Sequence, residues 1–244
     1  MSDTTERNIF LMLLNDADKF GRALLVTLMI AGAAIVIGLI IGIVCASIRI
    51  APKTNIVIRI LDKIVGLYIT IIRGTPTLLQ LLIIANVILI TIYNTNANIF
   101  VPMFAFGVNS GAYMAEIFRS GFNSVDRGQL EAGRSLGLSW FATTRKIIIP
   151  QAVKTVIPTI FNEIIILVKE TSVVSYLSIL MPWGVGGKVE QVYDLLGIAD
   201  KRGQSTGEWM AYLITAALIY LVVVLLLTLV QKIIERRFSI SDRR

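Results

Sequence analysis

Long apolar runs separated by short polar stretches dominate the chain. Residues 24–48 and 209–230 form almost uninterrupted apolar segments of a length that crosses a membrane. Three further apolar segments, 56–93, 99–118 and 151–180, contain polar or helix-breaking residues. Residues 181–207, before the last apolar segment, are predicted to form a polar loop that contains glycine. This pattern predicts an all-α membrane protein with about five transmembrane helices.

The first apolar segment carries a regular series of small residues. Ala34, Gly38, Gly42 and Ala46 recur at every fourth position, so they lie along one face of a helix. Small side chains let two helix backbones approach closely within a membrane. We therefore expect another helix to pack against this face.

The second apolar segment is too long to be one straight span. A helix over 56–93 would exceed the roughly 30 Å of hydrocarbon thickness. Arg73, Gly74 and Pro76 mark the predicted break, because Pro76 has no N–H and crowds the preceding helical turn. Measured along a helix, Arg73 lies about 30 Å from Tyr93, which is the hydrocarbon thickness. This distance favours Arg73 as an anchor at a membrane border. The alternative is that Arg73 contacts the carboxylate of a substrate.

The polar stretch over residues 124–150 has the signals of two short helices around a glycine corner. Asp126 is a suitable cap for the first helix and Ser139 for the second. Gly137 suits the left-handed position that ends a helix. A rigid element of this kind suggests a docking site for a soluble partner, and a solvated connector with ordinary caps fits the same residues.

Composition limits the classes of function. Hydrophobic residues make up 55% of the 244 residues and charged residues only 16%, which is too apolar for an ordinary soluble domain. The net charge is +7, but no basic stretch is interleaved with aromatic residues, so nucleic acid is not an expected partner. Most Lys and Arg residues flank the side that carries 124–150 and the C-terminus. This side is predicted to be cytoplasmic, with the N-terminus outside.

The absence of histidine and the single cysteine exclude several kinds of catalytic, metal and disulfide chemistry. The chain has no histidine and one cysteine, Cys45, so histidine triads and histidine metal sites are absent and no internal disulfide can form. We expect neither a catalytic residue nor a metal site. Ile9 to Leu14 is too short for the core of a signal peptide, and residues 1–20 are predicted to be an N-terminal interfacial segment.

Polar residues inside the predicted spans are candidates for a substrate path, because such residues usually face a bundle interior or a cavity. Glu163 lies near the middle of the fourth span and could bind an ammonium group. Lys169 and Glu170, further along this span, are either a structural pair or part of a gate. The candidates for the path are Asn109, Asn162, Glu163, Lys169 and Glu170.

Several motifs resemble one family of transporters. Glu131-Ala132-Gly133, Gly137 and Ile149-Pro150 resemble the EAA…G…I-x-P loop of binding-protein-dependent ABC importer permeases. Three more stretches are similar to the polar amino-acid uptake branch of that family, and together the blocks cover about residues 22–235. They are Arg73-Gly74-Thr75-Pro76, the segment 109–119 and Lys169-Glu170-Thr171-Ser172.

The resemblance implies the type I ABC importer (MetI-like) fold over residues 21–235, followed by a basic tail at 236–244. It implies that 124–150 is a coupling loop on a cytoplasmic ABC ATPase dimer. That dimer would hold ATP and Mg, and this chain would bind no cofactor. The residues expected in coupling are Glu131, Ala132, Gly133, Arg134, Gly137, Leu138 and Pro150.

Other implied partners are an extracytoplasmic amino-acid-binding protein and a second permease chain, either identical or related. The resemblance thus predicts a permease subunit that imports polar amino acids across the bacterial inner membrane by alternating access. A free-standing secondary transporter would need coupling-ion sites and commonly shows inverted repeats, which the sequence lacks. A membrane enzyme would need a nucleophile or metal constellation.

Overall fold

The computed structural model describes residues 11, 14–89, 98–177, 179–181 and 189–240. Helices dominate this part of the chain. In chain order they are α1 Ala17–Ile50, α2 Ile56–Gly74, α3 Thr77–Ile83, α4 Phe100–Asn123, α5 Arg127–Ser135, α6 Trp140–Thr143, α7 Ile149–Glu170, α8 Leu195–Thr206 and α9 Trp209–Ile240. Short π-helical turns follow α3 and α6, at Ile84–Leu89 and Thr144–Ile148, and a 3-10 turn, Thr171–Tyr176, follows α7.

Three described helical stretches are long and apolar enough to cross a membrane. They are Ala17–Ile50, Trp140–Tyr176 and Trp209–Arg237, and they contain most of the first, fourth and fifth predicted spans. Helix α4 has 24 residues, but polar side chains interrupt its apolar character. The all-α fold class is confirmed, while the count of five spans and their orientation remain predictions.

The predicted helix break is confirmed. Helix α2 ends at Gly74, and Thr75 has an extended backbone with φ −124° and ψ 150°. Pro76 then precedes α3, which begins at Thr77. A residue before proline avoids the helical region because its backbone would contact the proline ring, so the break follows from local sequence.

Two predictions about the second half of the chain are wrong. The fourth segment does not form a uniform span over 151–180: helix already begins at Trp140, tightens to a 3-10 turn at Thr171, and gives way to strand β1, Ile179–Met181. The region 181–207 is not a polar loop. It contains strand β2, Glu190–Val192, antiparallel to β1, and the whole of α8.

The predicted terminal segments fall partly outside the described residues. Of residues 1–20, positions 1–10 and 12–13 lie outside them, and α1 begins at Ala17, before the predicted start at residue 24. Helix α9 continues to Ile240, so the first part of the predicted tail 236–244 is helical. Residues 241–244 lie outside the described part.

The chain divides into two compact units, each made of three sequence segments. The first unit comprises Met1–Ala34, Thr77–Phe106 and Ile166–Leu226. Its core joins α1, α8 and α9 through the buried side chains of Phe20, Ala23, Leu195, Ile198, Ala199, Tyr212 and Ala216. This core explains why 195–206 is a helix, since burial of one apolar face stabilises a polar sequence that has little helical signal alone.

A buried carboxylate ties the three helices of the first unit together. Asp16 is 2% exposed, and its carboxylate accepts hydrogen bonds from Lys19 Nζ at 2.5 Å, Arg202 Nε at 2.8 Å and the Tyr212 hydroxyl at 2.6 Å. Burial alone raises the pKa of this group, but these hydrogen bonds and the charge of Arg202 outweigh burial and lower the pKa to about 2. The start of α1 is therefore held to α8 and α9 by a charged hub.

The second unit comprises Ile35–Pro76, Gly107–Ile165 and Leu227–Arg244. Within it, α1 and α4 approach so closely that a Cβ added to Gly42 would lie 2.5 Å from Cβ of Met114, and one added to Gly38 would lie 2.9 Å from Cβ of Ser110. The predicted close packing of the small-residue face is confirmed at these two positions. On the α4 side, Gly107 accommodates Ile37 in the same way.

Asp194 in the first unit generates a prediction about pH. It caps α8 by accepting hydrogen bonds from the N–H groups of Leu196 and Gly197, both at 3.2 Å, and is 1% exposed. Burial raises the pKa of this carboxyl to about 7, although the backbone hydrogen bonds oppose the shift. The folded protein therefore keeps a proton that the unfolded chain releases near pH 4.

The stability that this proton contributes is fully present below about pH 4, declines as the pH rises toward 7, and is lost above. Thermal unfolding in detergent should show the wild type less stable at about pH 8 than at about pH 5, by about 3 kcal/mol. Asp194→Asn keeps a capping oxygen but cannot ionise, so the difference should shrink. An equally large difference in the variant would contradict this assignment.

Candidate functional site

The first loop helix, α5, is closed at both ends by local hydrogen bonds. The Asp126 side chain accepts from the N–H of Gly128 at 2.6 Å, which caps the N-terminus as predicted. At the other end, Leu138 N donates to Gly133 O at 3.1 Å and Gly137 N to Arg134 O at 3.0 Å. This is a Schellman motif, and Gly137 has φ +80°, the left-handed conformation that the motif needs.

The second loop helix begins at the predicted cap. The Ser139 side chain accepts from the N–H of Ala142 at 3.2 Å. Helix α6 then continues through the π-helical turn into α7, so Pro150 lies inside a continuous helical stretch near its start. The second loop helix is therefore not a separate element but the first part of the helical stretch that contains α7.

One close contact packs the two loop helices together. A Cβ added to Gly133 would lie 2.4 Å from Cγ2 and 2.9 Å from Oγ1 of Thr143. Thr143 is fully buried, and its hydroxyl donates to Ser139 O at 3.0 Å. Gly133 is thus a packing position that lets α6 approach α5, and it does not face outward with the other coupling candidates.

The outward surface of the loop differs from the sequence prediction. Glu131, Ala132, Arg134, Gly137 and Pro150 are exposed as expected, whereas Leu138 is half-buried. Two apolar side chains that sequence reasoning missed are more prominent. Leu136 is 81% exposed and Phe141 is 66% exposed. An apolar residue in a polar loop directly before the corner glycine was the signal available for Leu136.

The predicted path residues are only partly brought together. In the second unit, Glu163 is 8% exposed and Ser110 is fully buried, and the Ser110 hydroxyl donates to Glu163 Oε1 at 3.3 Å. Asn109, which precedes Ser110, is also buried. A carboxylate in such a position needs polar neighbours. Sequence reasoning did not assign Ser110 to the path, although its place beside Asn109 could have indicated it.

Asn162 faces a different neighbour. It is exposed, and its side-chain oxygen accepts a hydrogen bond from Gln231 Nε2 of α9 at 3.1 Å. Consecutive residues of a helix are about 100° apart, so Asn162 and Glu163 cannot point the same way. Lys169 is exposed and Glu170 half-buried, and both belong to the first unit.

The break residues lie beside a second polar group of the same unit. Arg73 is exposed in the last turn of α2, and its guanidinium lies over the ring of Tyr113, 5.4 Å from the centroid. One turn further along α4, Arg119 and Glu116 form a two-bonded ion pair, with Nε to Oε2 at 3.0 Å and a second bond from Nη2 to Oε1. Residues three positions apart on a helix are neighbours on its surface, so the spacing of Glu116 and Arg119 explains the pair.

Comparison with known proteins identifies the class. The model of the family of binding-protein-dependent transport system inner membrane components matches residues 38–240. The chain belongs to this family and is a membrane-embedded permease subunit. Because the chain is a permease subunit of this family, ATP hydrolysis belongs to a separate subunit of the transporter.

Individual relatives within this family are permeases for amino acids. A putative glutamine transport system permease protein of Rickettsia conorii is 34% identical over 220 residues, which is 89% of this chain and 91% of the relative. An arginine transport system permease protein of Bacillus subtilis is 33% identical and covers 90% of this chain and 92% of its own length. These relatives are permeases of amino-acid transport systems.

Solved structures agree in fold. The crystal structure of an amino acid ABC transporter with histidines has a TM-score of 0.80 at 33% identity and covers 93% of this chain and 98% of its own. An inward-facing methionine ABC transporter has a TM-score of 0.68 at 19% identity and covers 93% of this chain and 97% of its own. The second likeness concerns the fold alone.

The Gly133–Thr143 contact generates a prediction. Gly133→Ala adds a methyl group against a buried, β-branched side chain, and overpacking of about 1–3 kcal/mol should exceed the helix-propensity gain of about 1 kcal/mol. Hydrogen exchange of the amides in 127–143 should become faster. Adding Thr143→Ala removes the two closest atoms and should restore part of the protection. Unchanged or slower exchange in Gly133→Ala would contradict the packing role.

Proposed function

We propose that this chain imports polar amino acids across the bacterial cytoplasmic membrane, together with a partner ATPase dimer that holds ATP and Mg. The observation that carries this proposal is the rigid loop helix α5, which is capped at both ends and presents exposed Leu136. The printed names of the relatives supply the substrate class, since they are glutamine and arginine permeases.

The loop would act as the coupling element. Leu136 at the corner, supported by Ala132, would enter an apolar groove of the ATPase, while Glu131 and Arg134 would pair with charges beside the groove. Burial of a leucine side chain contributes roughly 1.5–3 kcal/mol, and charged pairs at a rim favour the correct orientation more than they add affinity. Because α6 continues into α7, a movement of the ATPase would reach the membrane segment without a flexible joint.

The remaining partners follow from the same family. An extracytoplasmic binding protein would deliver the amino acid, and a second permease chain would complete the translocation path. The excess of Lys and Arg on the side of the loop supports a cytosolic loop. ATP binding would close the ATPases and turn the permease pair outward, and hydrolysis would reset it inward and release the amino acid.

Glu163 is the group best suited to receive the substrate ammonium. Its carboxylate is buried, and Ser110 orients one of its oxygens. A buried carboxylate is the kind of group that binds an ammonium group or a cationic side chain. Asn109 remains a candidate on the same helix, and Lys169 and Glu170 remain candidates for a gate.

The coupling role predicts a specific defect. Leu136→Ser should lower the amount of ATPase that co-purifies with the permease in mild detergent and reduce ATP-driven uptake, because a buried apolar contact is lost. The fold should stay intact, since Leu136 is 81% exposed. Val189→Ala is a matched control, because Val189 is also exposed, at 64%, and lies in the first unit. Full ATPase retention and uptake by Leu136→Ser would contradict the proposal.

The path role predicts a change in substrate affinity. Glu163→Gln keeps the shape of the side chain and an acceptor for Ser110 but removes the charge. Loss of a charge-assisted hydrogen bond should weaken apparent affinity for uptake about tenfold or more. Reconstituted uptake at graded concentrations of L-glutamine and L-arginine measures the effect, with Glu190→Gln, an exposed carboxylate, as the control. Unchanged affinity for every transported amino acid would exclude Glu163 from the path.

A further inference from the structure

A small cavity, lined by apolar and polar side chains, lies at the loop end of the helices in the second unit. Its volume is about 210 Å³, and it opens between the end of α2, the last turns of α4 and the first turns of α7. Pockets for drug-sized ligands measure roughly 300–1,000 Å³, so this cavity suits one small molecule. The polar side chains of its lining are Arg73, Tyr113, Glu116, Ser120, Thr155 and Thr159.

The cavity holds an oriented cation with unused donors. The Arg73 guanidinium lies over the ring of Tyr113, which limits its rotation. Within the described part of the chain, the Arg73 side chain makes no hydrogen bond or ion pair. Guanidinium has five N–H donors in a planar fork that matches a carboxylate. Glu116 forms an ion pair with Arg119, and the charge of Arg73 also acts on the Glu116 carboxylate, so the cavity holds a cation and a carboxylate side by side.

Two hydroxyl groups complete an anion-binding arrangement. Among the described residues, neither the Ser120 nor the Thr155 hydroxyl has a hydrogen-bond partner, whereas the Thr159 hydroxyl donates to Thr155 O at 3.3 Å. Both free hydroxyls can therefore donate to a ligand. Arg119 donates one hydrogen bond to each carboxylate oxygen of Glu116. A carboxylate has acceptor positions beyond these two. An ammonium group can use them.

We propose that this cavity binds a free α-amino acid, with its carboxylate on Arg73 and its ammonium group on Glu116. The inference rests on the proposed function, because the ligand is the transported amino acid as it leaves the permease toward the cytosol. The site joins the two helices that the coupling loop connects: Ser120 lies three residues before the end of α4 and Thr155 lies six residues after the start of α7. An amino acid bound there would contact the two helices that flank the loop before its release.

A purely structural role for Arg73, as an anchor at the membrane border, explains less of this geometry. A border arginine needs only water or a lipid phosphate, and it needs no cavity whose lining also contains two free hydroxyls and a carboxylate. The joint presence of anion and ammonium partners favours a zwitterion over a phosphate group. An anionic headgroup is therefore the competing ligand that the experiment must exclude.

The test measures the chemical reactivity of Arg73 in the intact complex of permease and ATPase. The complex is placed in nanodiscs of neutral phosphatidylcholine and treated with phenylglyoxal, which modifies free guanidinium groups. Peptide mass spectrometry follows each arginine separately. L-glutamine or L-arginine should slow modification of Arg73, while the corresponding amino-acid amides, which lack the carboxylate, should not. Arg22 is exposed and belongs to the first unit, so its modification should stay constant.

Variants supply an independent readout. Arg73→Gln should weaken the binding of labelled amino acid to this site about tenfold or more, as expected for loss of a charged hydrogen-bond pair. Arg73→Lys keeps the charge and should retain part of the binding. Lys63→Gln is the matched control, since Lys63 is an exposed cation on α2 outside the cavity. Assembly with the ATPase and basal ATP hydrolysis are measured for each variant to confirm folding.

The outcomes separate this inference from the proposed function. Wild-type uptake of amino acids without any protection of Arg73 would overturn the cavity assignment and leave the importer function intact. Equal protection by the amides, or protection produced by anionic lipid alone, would also overturn it. Absence of uptake for any amino acid, together with no ATPase association, would defeat the proposed function itself.

Discussion

Close packing of α1 against α4 is the contact on which the polar chemistry of the second unit depends. Gly38 and Gly42 allow backbone approach that a single added methyl group would prevent. Membrane helices have little hydrophobic drive to associate, so van der Waals contact at small residues carries much of their packing energy. In this arrangement Asn109 and Ser110 of α4 are buried. Ser110 meets Glu163, and the Tyr68 hydroxyl reaches Val108 O at 2.5 Å.

The same principle recurs in the coupling loop on a smaller scale. Gly133 lets Thr143 pack directly on α5, and Gly137 supplies the left-handed corner between the two helices. The first glycine is needed for space and the second for backbone conformation, because a Cβ at Gly137 would meet no neighbour within 4 Å. A loop built in this way has few alternative shapes. Such rigidity suits an element that transmits force between subunits.

Local signals predicted the elements that depend on near neighbours in sequence. The break at Pro76, the caps at Asp126 and Ser139 and the corner at Gly137 all involve atoms a few residues apart, and each is confirmed. Prediction failed over 181–207, where helix and strands form. There, α8 is stabilised by burial against α1 and α9, which its own composition does not reveal.

The sequence by itself determined the membrane class, the break in the second segment, the loop helices and the family, because apolar periodicity, caps and short motifs are local properties. Only the tertiary structure decided which polar residues meet. Ser110 and Glu163 are 53 positions apart and Asn162 and Gln231 are 69 apart, and helix packing alone sets such pairings. Helix packing also gives Asn162 and Glu163 different partners, and it places Arg73, Tyr113 and Thr155 around one cavity. The reason is that the direction of a side chain depends on how its whole helix is rotated against its neighbours.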